Sequence, residues 1–293
     1  MSNEITNAFV QQYSSNVYML TQQRGSKLIG TVMRKEITGK YANFERLGSV
    51  VATKKTSRHT PTPQTDTPHS RRRVGIEDYH VNDYIDKEDE IRMLIDPKGP
   101  YATAQSNALG RTLDDIIITA IQGNASSVDS DDAASNVALP AGQIVDEDFG
   151  SANSDLTLAK VIEAKRLFMT NEVQPDEEYH FLADAVSLNT LLQEADVKTI
   201  DSNTIKTIVA GEPGSLMGFN FKHTERLKDS SEGFKNCLAY VKSGIGLAMG
   251  SDIKVRIDER SDLSYAKQVY SSMTAGAVRI EEEKVVIVEA YRA

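Results

Sequence analysis

The sequence predicts an α+β fold, and three observations carry that prediction. One long amphipathic helix can be traced between Asp96 and Gly123, short β-rich segments fill the C-terminal half, and a polar stretch from Lys54 to Glu90 has almost nothing to bury. With 293 residues and 40% hydrophobic content, the chain can bury one sizeable core or two modest ones.

Taken in chain order, the first thirty residues place Phe9, Tyr13, Val17 and Leu20 at helical spacing before Gly25, the pattern of an amphipathic arm. Gly39 to Thr56 is rich in β-formers. Between Lys54 and Arg73 six Lys/Arg face Asp66 alone, and between Glu77 and Glu90 seven Asp/Glu face Lys87, so a basic arm runs straight into an acidic neck. Punctuated by Pro61, Pro63 and Pro68, this segment cannot offset its ordering entropy by packing on its own domain. Extended chain resumes at VGIEDYHVNDYI, which predicts a long hairpin over residues 51–84 with a Pro-rich tip. Two arms of about 17 residues at about 3.3 Å per residue would reach roughly 55 Å, against a radius of gyration of about 19 Å for a compact chain of this length. Such an arm overhangs its own body, and its charged side chains are candidates for contact with a neighbouring copy. They are Lys54, Lys55, Arg58, Arg71, Arg72 and Arg73 on the basic side, and Glu77, Asp78, Asp86, Glu88, Asp89 and Glu90 on the acidic side.

The helix that follows has Asp96 as its N-cap and Pro97 in its first turn. Leu109, Leu113, Ile116, Ile117, Ala120 and Ile121 repeat on one face, and Gly123 stands where a C-cap belongs. Residues 123–155 are small and polar and read as a linker or surface loop, with a domain boundary near Gly123. Asp129 to Asp132 does not open an EF-hand loop, because Ala134 and Pro140 stand where glycine and glutamate are needed. Leu158, Val161, Ile162, Leu167 and Phe168 then mark a second helical face, and HFLADAVSLNTLLQEA reads as a strand feeding a third helix. FNFKHTERL, KNCLAYV, IGLAMG, DIKVRID, GAVRI and KVVIVEAY complete the chain as strands.

Chemistry-bearing motifs are scarce, so no catalytic, cofactor-binding or metal-ligating residue is nominated. GIGLAMG lacks the third glycine of a dinucleotide fingerprint at the required spacing, and phosphate-loop, nucleophile-elbow and zincin motifs are missing. His59, His69, His80, His180 and His223 are scattered, and the single Cys237, in NCLAYV, reads as a buried core thiol. A net charge of −9 and a pI near 5.2 argue against a protein that grips phosphates, and the basic arm lacks aromatic residues for stacking on bases. No run of eighteen apolar residues appears and the N-terminal residues lack signal-peptide character, so neither membrane insertion nor secretion is expected.

The order of these elements, and three stretches in particular, resembles the major capsid proteins of tailed bacteriophages with the Hong Kong 97-type fold. HFLADAVSLNTLLQEA is similar to that family's strand and Leu-rich helix. GEPGSLMGFNFKHTERL is similar to its glycine turn and strand, with Thr224 near the usual serine and Leu227 lacking the following proline. LAYVKSGIGLAMGSDIKVRIDE and GAVRIEEEKVVIVEA are similar to its closing strands through Ala277, Arg279 and Val285 to Val288. The resemblance implies a structural protein with an N-terminal arm (1–30), an extension loop (51–84) and an axial domain (124–250). A peripheral domain would be built from 31–50, from 85–123 with its spine helix, and from the returning strands of 251–293.

It further implies an icosahedral shell of hexamers and pentamers, assembled in the host cytoplasm around double-stranded DNA that is held close without specific binding. A portal would be a partner, and the short N-terminal arm predicts a scaffolding protein encoded as a separate chain. An encapsulin-like compartment shell and a phage tail or decoration protein are the alternatives, while no acid, base and nucleophile converge as an enzyme would need. On this reading, reversing Arg71, Arg72 and Arg73 to Glu blocks shell formation and leaves a folded monomer.

Overall fold

The computed structural model describes residues 22–59, 61–62, 64–86, 98–128, 133–193, 215–231 and 233–292. The arm helix of Phe9 to Leu20, the Asp96–Pro97 helix start and the Asp129–Asp132 acids lie outside the described residues. In chain order the elements are β1 (Met33–Glu36), β2 (Tyr41–Leu47), β3 (His69–Gly75), β4 (Glu77–Ile85) and helix α1 (Lys98–Gln122). β5 (Ala125–Val128), β6 (Ala134–Val137) and β7 (Ile144–Val145) lead to α2 (Leu158–Thr170), β8 (Tyr179–Ala183) and α3 (Ala185–Gln193). The remainder is strand: β9 (Ser215–Leu216), β10 (Phe219–His223), β11 (Asp229–Ser231), β12 (Phe234–Val241), β13 (Ile245–Arg260), β14 (Ala266–Arg279) and β15 (Val285–Tyr291). The α+β class read from the sequence is the one observed.

The chain divides into two compact units. The first comprises Met1–Ser26, Glu77–Leu113 and Ser251–Ala275. Within it, β4 pairs antiparallel with β14 from Glu77↔Ala275 to Ile85↔Lys267. Alternation turns Ile85, Val269, Ser271, Met273 and Ala275 inward and leaves Asp78, His80 and Asn82 on an outer face. Gln105 of α1 ties helix to sheet, donating to the Val269 carbonyl at 3.0 Å and accepting from the Ser271 hydroxyl at 2.7 Å. A glycine inside a helix normally costs about 1 kcal/mol, and Gly110 has a packing reason: a Cβ there would lie 2.6 Å from the Gly25 backbone, which crosses the helix at that point.

The pairing of β4 corrects the predicted hairpin. Residues 51–84 do not fold into two long arms; the hairpin is β2 against β3, seven rungs from Tyr41↔Gly75 to Leu47↔His69. It ends where the Gly48 N–H donates to the Pro68 carbonyl at 2.8 Å. Proline cannot donate to a ladder, and the described residues between Gly48 and Pro68 form no strand.

The second unit comprises Lys27–Ile76, Asp114–Gly250 and Gly276–Ala293. Its largest sheet runs in the order β7-β15-β12-β8-β10-β9, with β11 beside β12. β8 and β10 are parallel, so their connection must cross over, and α3 lies in that connection. One sheet face presents Tyr179, Phe181, Phe219, Phe221, Cys237, Val286 and Val288 to Leu158, Val161, Ala164 and Phe168 of α2 and to Leu188 and Leu191 of α3. Thr157 caps α2 by accepting from the Lys160 N–H. Lys160 itself is fully buried and donates to the Ser154 and Glu289 carbonyls at 2.6 and 2.9 Å, and burial pulls its ammonium below the ordinary lysine range. Ile162, expected on the buried face, is exposed instead, because at about 100° per residue it lies on the flank of the face centred on Val161, Ala164 and Phe168. Cys237 is the expected buried thiol, pushed up to about 12 by burial.

A smaller sheet, β2-β3-β5-β6, packs Ala42, Phe44, Val74 and Ala125 against Ala248, Val278 and Ile280. β1 adds in parallel to the start of β13, Met33 opposite Gly246. IGLAMG and DIKVRID, two segments in the sequence reading, are one continuous strand, and the GAVRI strand is the end of a β14 that begins ten residues earlier, at Ala266.

His180 lies on the other face of β8, its ring centroid 5.7 Å from that of Tyr240. Burial pulls its imidazole down to about 4, only partly opposed by Glu178, whereas an unfolded chain titrates near pH 6.5. Between those values the unfolded chain takes up a proton that the folded chain refuses. This contribution is therefore whole above about pH 6.5 and is lost as pH falls toward about 4. Urea denaturation should show a loss of up to about 3 kcal/mol from this group across the window, and His180→Phe should remove that share of the slope.

Candidate functional site: inter-subunit surfaces

The described residues bring together no group of three or more His, Cys, Asp or Glu side chains able to hold a metal ion. What the structure offers is surface. Every described residue from Leu47 to Ser70 is exposed, including Leu47, Val50 and Val51 beside Lys54, Lys55 and Arg58. A stretch of this length without secondary structure is uncommon in a compact domain unless it serves a function.

The remaining candidates divide by strand alternation. Along β3, Arg72 and Val74 point inward while Arg71 and Arg73 lie on the opposite face. Arg71 pairs with Glu45 at 3.4 Å, both largely exposed. Arg73 donates to the Asn43 side chain and lies 5.4 Å from the centre of the Tyr41 ring. Arg72 is only 5% exposed; its Nη2 donates to Glu282 at 2.6 Å and its Nε to the Ile280 carbonyl at 3.4 Å. It is a core residue of its own chain, which removes it from the candidate contacts.

In the first unit, Glu77 and Asp78 are exposed on β4. Glu77 accepts from the Tyr79 hydroxyl at 2.9 Å, and burial together with that carboxylate pushes Tyr79 up to about 12. Asp78 accepts from Thr274 at 2.6 Å. Asp86 is exposed, and Glu88, Asp89 and Glu90 lie outside the described residues.

Sequence reading missed the cluster that Arg72 enters. Glu282 takes Arg72 at 2.6 Å, Arg46 at 3.4 Å and Arg279 at 3.8 Å, and the Ile280 carbonyl accepts from Arg46 at 2.9 Å. Arg279 has no exposed surface. It donates to the Ile121 and Gly123 carbonyls at 3.0 and 2.6 Å and to the Val137 carbonyl at 3.0 Å, and burial pulls its guanidinium down from the ordinary arginine value. Arg46 and Arg72 sit on β2 and β3, so the root of the exposed loop is latched to the turn between β14 and β15. The alternation of HSRRRVG, with Arg72 two residues before the apolar Val74, was the available signal.

The distinctive surface of this α+β chain is a long exposed loop whose root is held by buried ion pairs. The sequence matches the phage capsid protein family over residues 5–291, and the chain belongs to that family as the major capsid protein of a phage shell. Its fold is shared with solved capsids. It superposes on the capsid structure of the cyanophage P-SCSP1u with a TM-score of 0.75 at 17% identity, covering 100% of this chain and 97% of that one. The capsid of Ralstonia phage GP4 gives 0.72 at 10% identity, covering 97% and 95%. The capsid of a native GTA particle gives 0.70 at 12% identity, covering 97% and 95%. No curated protein matches the sequence.

The charge cluster separates the three arginines of β3 experimentally. Reversal of all three no longer tests assembly alone, because a glutamate at position 72 would face buried Glu282. Glu282→Ala should cost about 3–5 kcal/mol in chemical denaturation, since it leaves buried guanidinium groups uncompensated, while Arg71→Glu should cost about 1 kcal/mol or less.

Proposed function

We propose that copies of this chain assemble as hexamers and pentamers into an icosahedral shell around double-stranded DNA, with the 51–84 region serving as the extension loop. The observation that carries this is the exposure of every described residue from Leu47 to Ser70, where apolar Val50 and Val51 and basic Lys54, Lys55 and Arg58 stand in solvent. A neighbouring copy supplies the missing surface. Lys54, Lys55, Arg58, Arg71 and Arg73 meet acidic groups there, with Glu77, Asp78, Asp86, Glu88, Asp89 and Glu90 as the candidate counterparts.

In this reading residues 124–250 form the axial domain and residues 31–50, 85–123 and 251–293 the peripheral domain with α1 as its spine, following the N-terminal arm of 1–30. Shells form in the host cytoplasm with a separate scaffolding protein and a portal, and become part of the virion. The overall charge of −9 suits a wall that encloses DNA without holding its phosphates.

Reversal of Lys54, Lys55 and Arg58 to Glu should abolish closed shells in electron micrographs while leaving the monomer's urea midpoint unchanged, because all three side chains are exposed. Normal shells from that variant would refute the assigned role of the loop. Tubes or open rings from the unaltered chain would favour a tail protein.

A further inference from the structure

Among the described residues, the β1-β13-β14-β4 sheet ends in two open edges. β4 is terminal, and β1 flanks β13 only from Gly246 to Met249. From Ser251 to Arg260, β13 continues with β14 on one side and no described strand on the other. Such an edge presents unpaired backbone N–H and C=O groups, which proteins blunt with proline, bulges or charges that repel a second strand. Neither edge contains proline.

The two edges match in their alternation. The Arg260 guanidinium donates to the Gln268 side chain at 3.2 Å, and Gln268 donates to the Asn82 side chain at 2.7 Å. Even-numbered residues of β13, Lys254 and Arg256 among them, therefore share the outer face of the sheet with Asp78, His80 and Asn82. The odd-numbered Ile253, Val255 and Ile257 turn to the side on which Gln105 of α1 meets β14. Val255 and Ile257 are nonetheless 40% and 43% exposed. Tyr79 and Val81 hold that same side of β4 and are half-buried. The charges match as well. Among the described residues Lys254 and Arg256 have no ion-pair partner, and Asp78 has no cation beside it, only the Thr274 hydroxyl that it accepts from. The exposed 47–70 loop fits the β13 edge less well. Val50 and Val51 are adjacent, as are Lys54 and Lys55, so a strand made of it would not separate apolar from charged faces.

We propose that β4 of one copy adds to the open Ser251–Arg260 edge of β13 in the next, so that the sheet runs on from chain to chain. β4 is antiparallel to β14, and the short connection from Arg260 to Ala266 makes β13 antiparallel to β14 too, so β4 and β13 point the same way. A repeat that continues the sheet pairs them parallel. The register that sets Asp78 beside Lys254 also sets Tyr79 beside Val255 and Val81 beside Ile257, which covers the exposed apolar stripe. Because the two edges differ, the contact is head to tail, and repetition of a closing rotation makes a ring. The proposal rests on the shell reading, adds a backbone contact to the side-chain contacts of the loop, and assigns Asp78 to Lys254 in place of the loop.

The test is disulfide formation in assembled particles of the double variant Asp78→Cys with Lys254→Cys, oxidised with copper phenanthroline. Within one chain β14 lies between the two strands, two spacings of about 4.8 Å, and a disulfide needs Cα atoms within about 7 Å, so the bond forms only between copies. Native Cys237 is buried. Non-reducing denaturing electrophoresis should show a ladder up to pentamer and hexamer that dithiothreitol clears, whereas either single-cysteine variant stops at a dimer. Charge exchange gives a second readout. Asp78→Lys and Lys254→Glu should each lower shell yield at least about tenfold by setting like charges together, and the two combined should restore it. Both side chains are exposed, so the monomer's urea midpoint should not move. Shells without a ladder, single charge variants that assemble normally, or a double exchange no better than the singles overturn this contact and leave the shell reading standing. A wild-type chain that never forms closed shells overturns both.

Discussion

In the second unit the buried cation that joins the most elements is Arg279. Arg279 occupies a site with no solvent; its donors reach the last carbonyls of α1 and the end of β6, and its Nε stands 3.8 Å from the carboxylate of Glu282. Helix C-terminal carbonyls lack intrahelical partners and carry the negative end of the helix dipole. A planar guanidinium can satisfy several diverging acceptors at once, which a lysine ammonium on a flexible stem does less well. This explains why α1 ends at a glycine without a left-handed cap. The Gly123 N–H still donates to Thr119 at 2.8 Å, and its carbonyl is taken by Arg279.

Glu282 extends that constraint to the loop root. Three arginines converge on one carboxylate, and the Ile280 carbonyl accepts from two of them. Desolvating such a cluster costs about as much as its pairing returns, while removing one member strands the others. Its consequence is geometric: β2 and β3 are held against the β14–β15 turn, so the exposed loop starts from a fixed place although its own residues pack on nothing described.

What was legible in the sequence follows from the range of each signal. Leu109, Leu113, Ile117 and Ile121 repeat locally, so the long helix could be read within a residue or two of its end, as could α2 and the β8–α3 pair. Its cap could not be read, since the capping arginine lies 156 residues further along the chain. Periodicity likewise assigns a face to a strand but not a partner. β4 looked like the returning arm of a local hairpin, yet its partner β14 is nearly 200 residues away. The same limit applied to the contact residues: a run of three arginines looks like one basic patch until strand alternation sends Arg72 to the core and leaves Arg71 and Arg73 outside.

Rigid root and unpacked loop are complementary requirements of a chain that must join many copies of itself. Exposed ion pairs contribute about 0–1 kcal/mol each and are screened beyond about 8 Å at physiological salt. In the assembly proposed above, one basic loop on one neighbour would therefore be a weak contact, and a misplaced copy could leave. Strength then has to come from repetition, which only helps when every copy presents its loop at the same angle; an orientational spread would make closure of one ring incompatible with closure of the next. On that proposal, Glu282 with its arginines out of water and Lys54, Lys55 and Arg58 in water would meet both requirements with the same side-chain chemistry in two different dielectric settings.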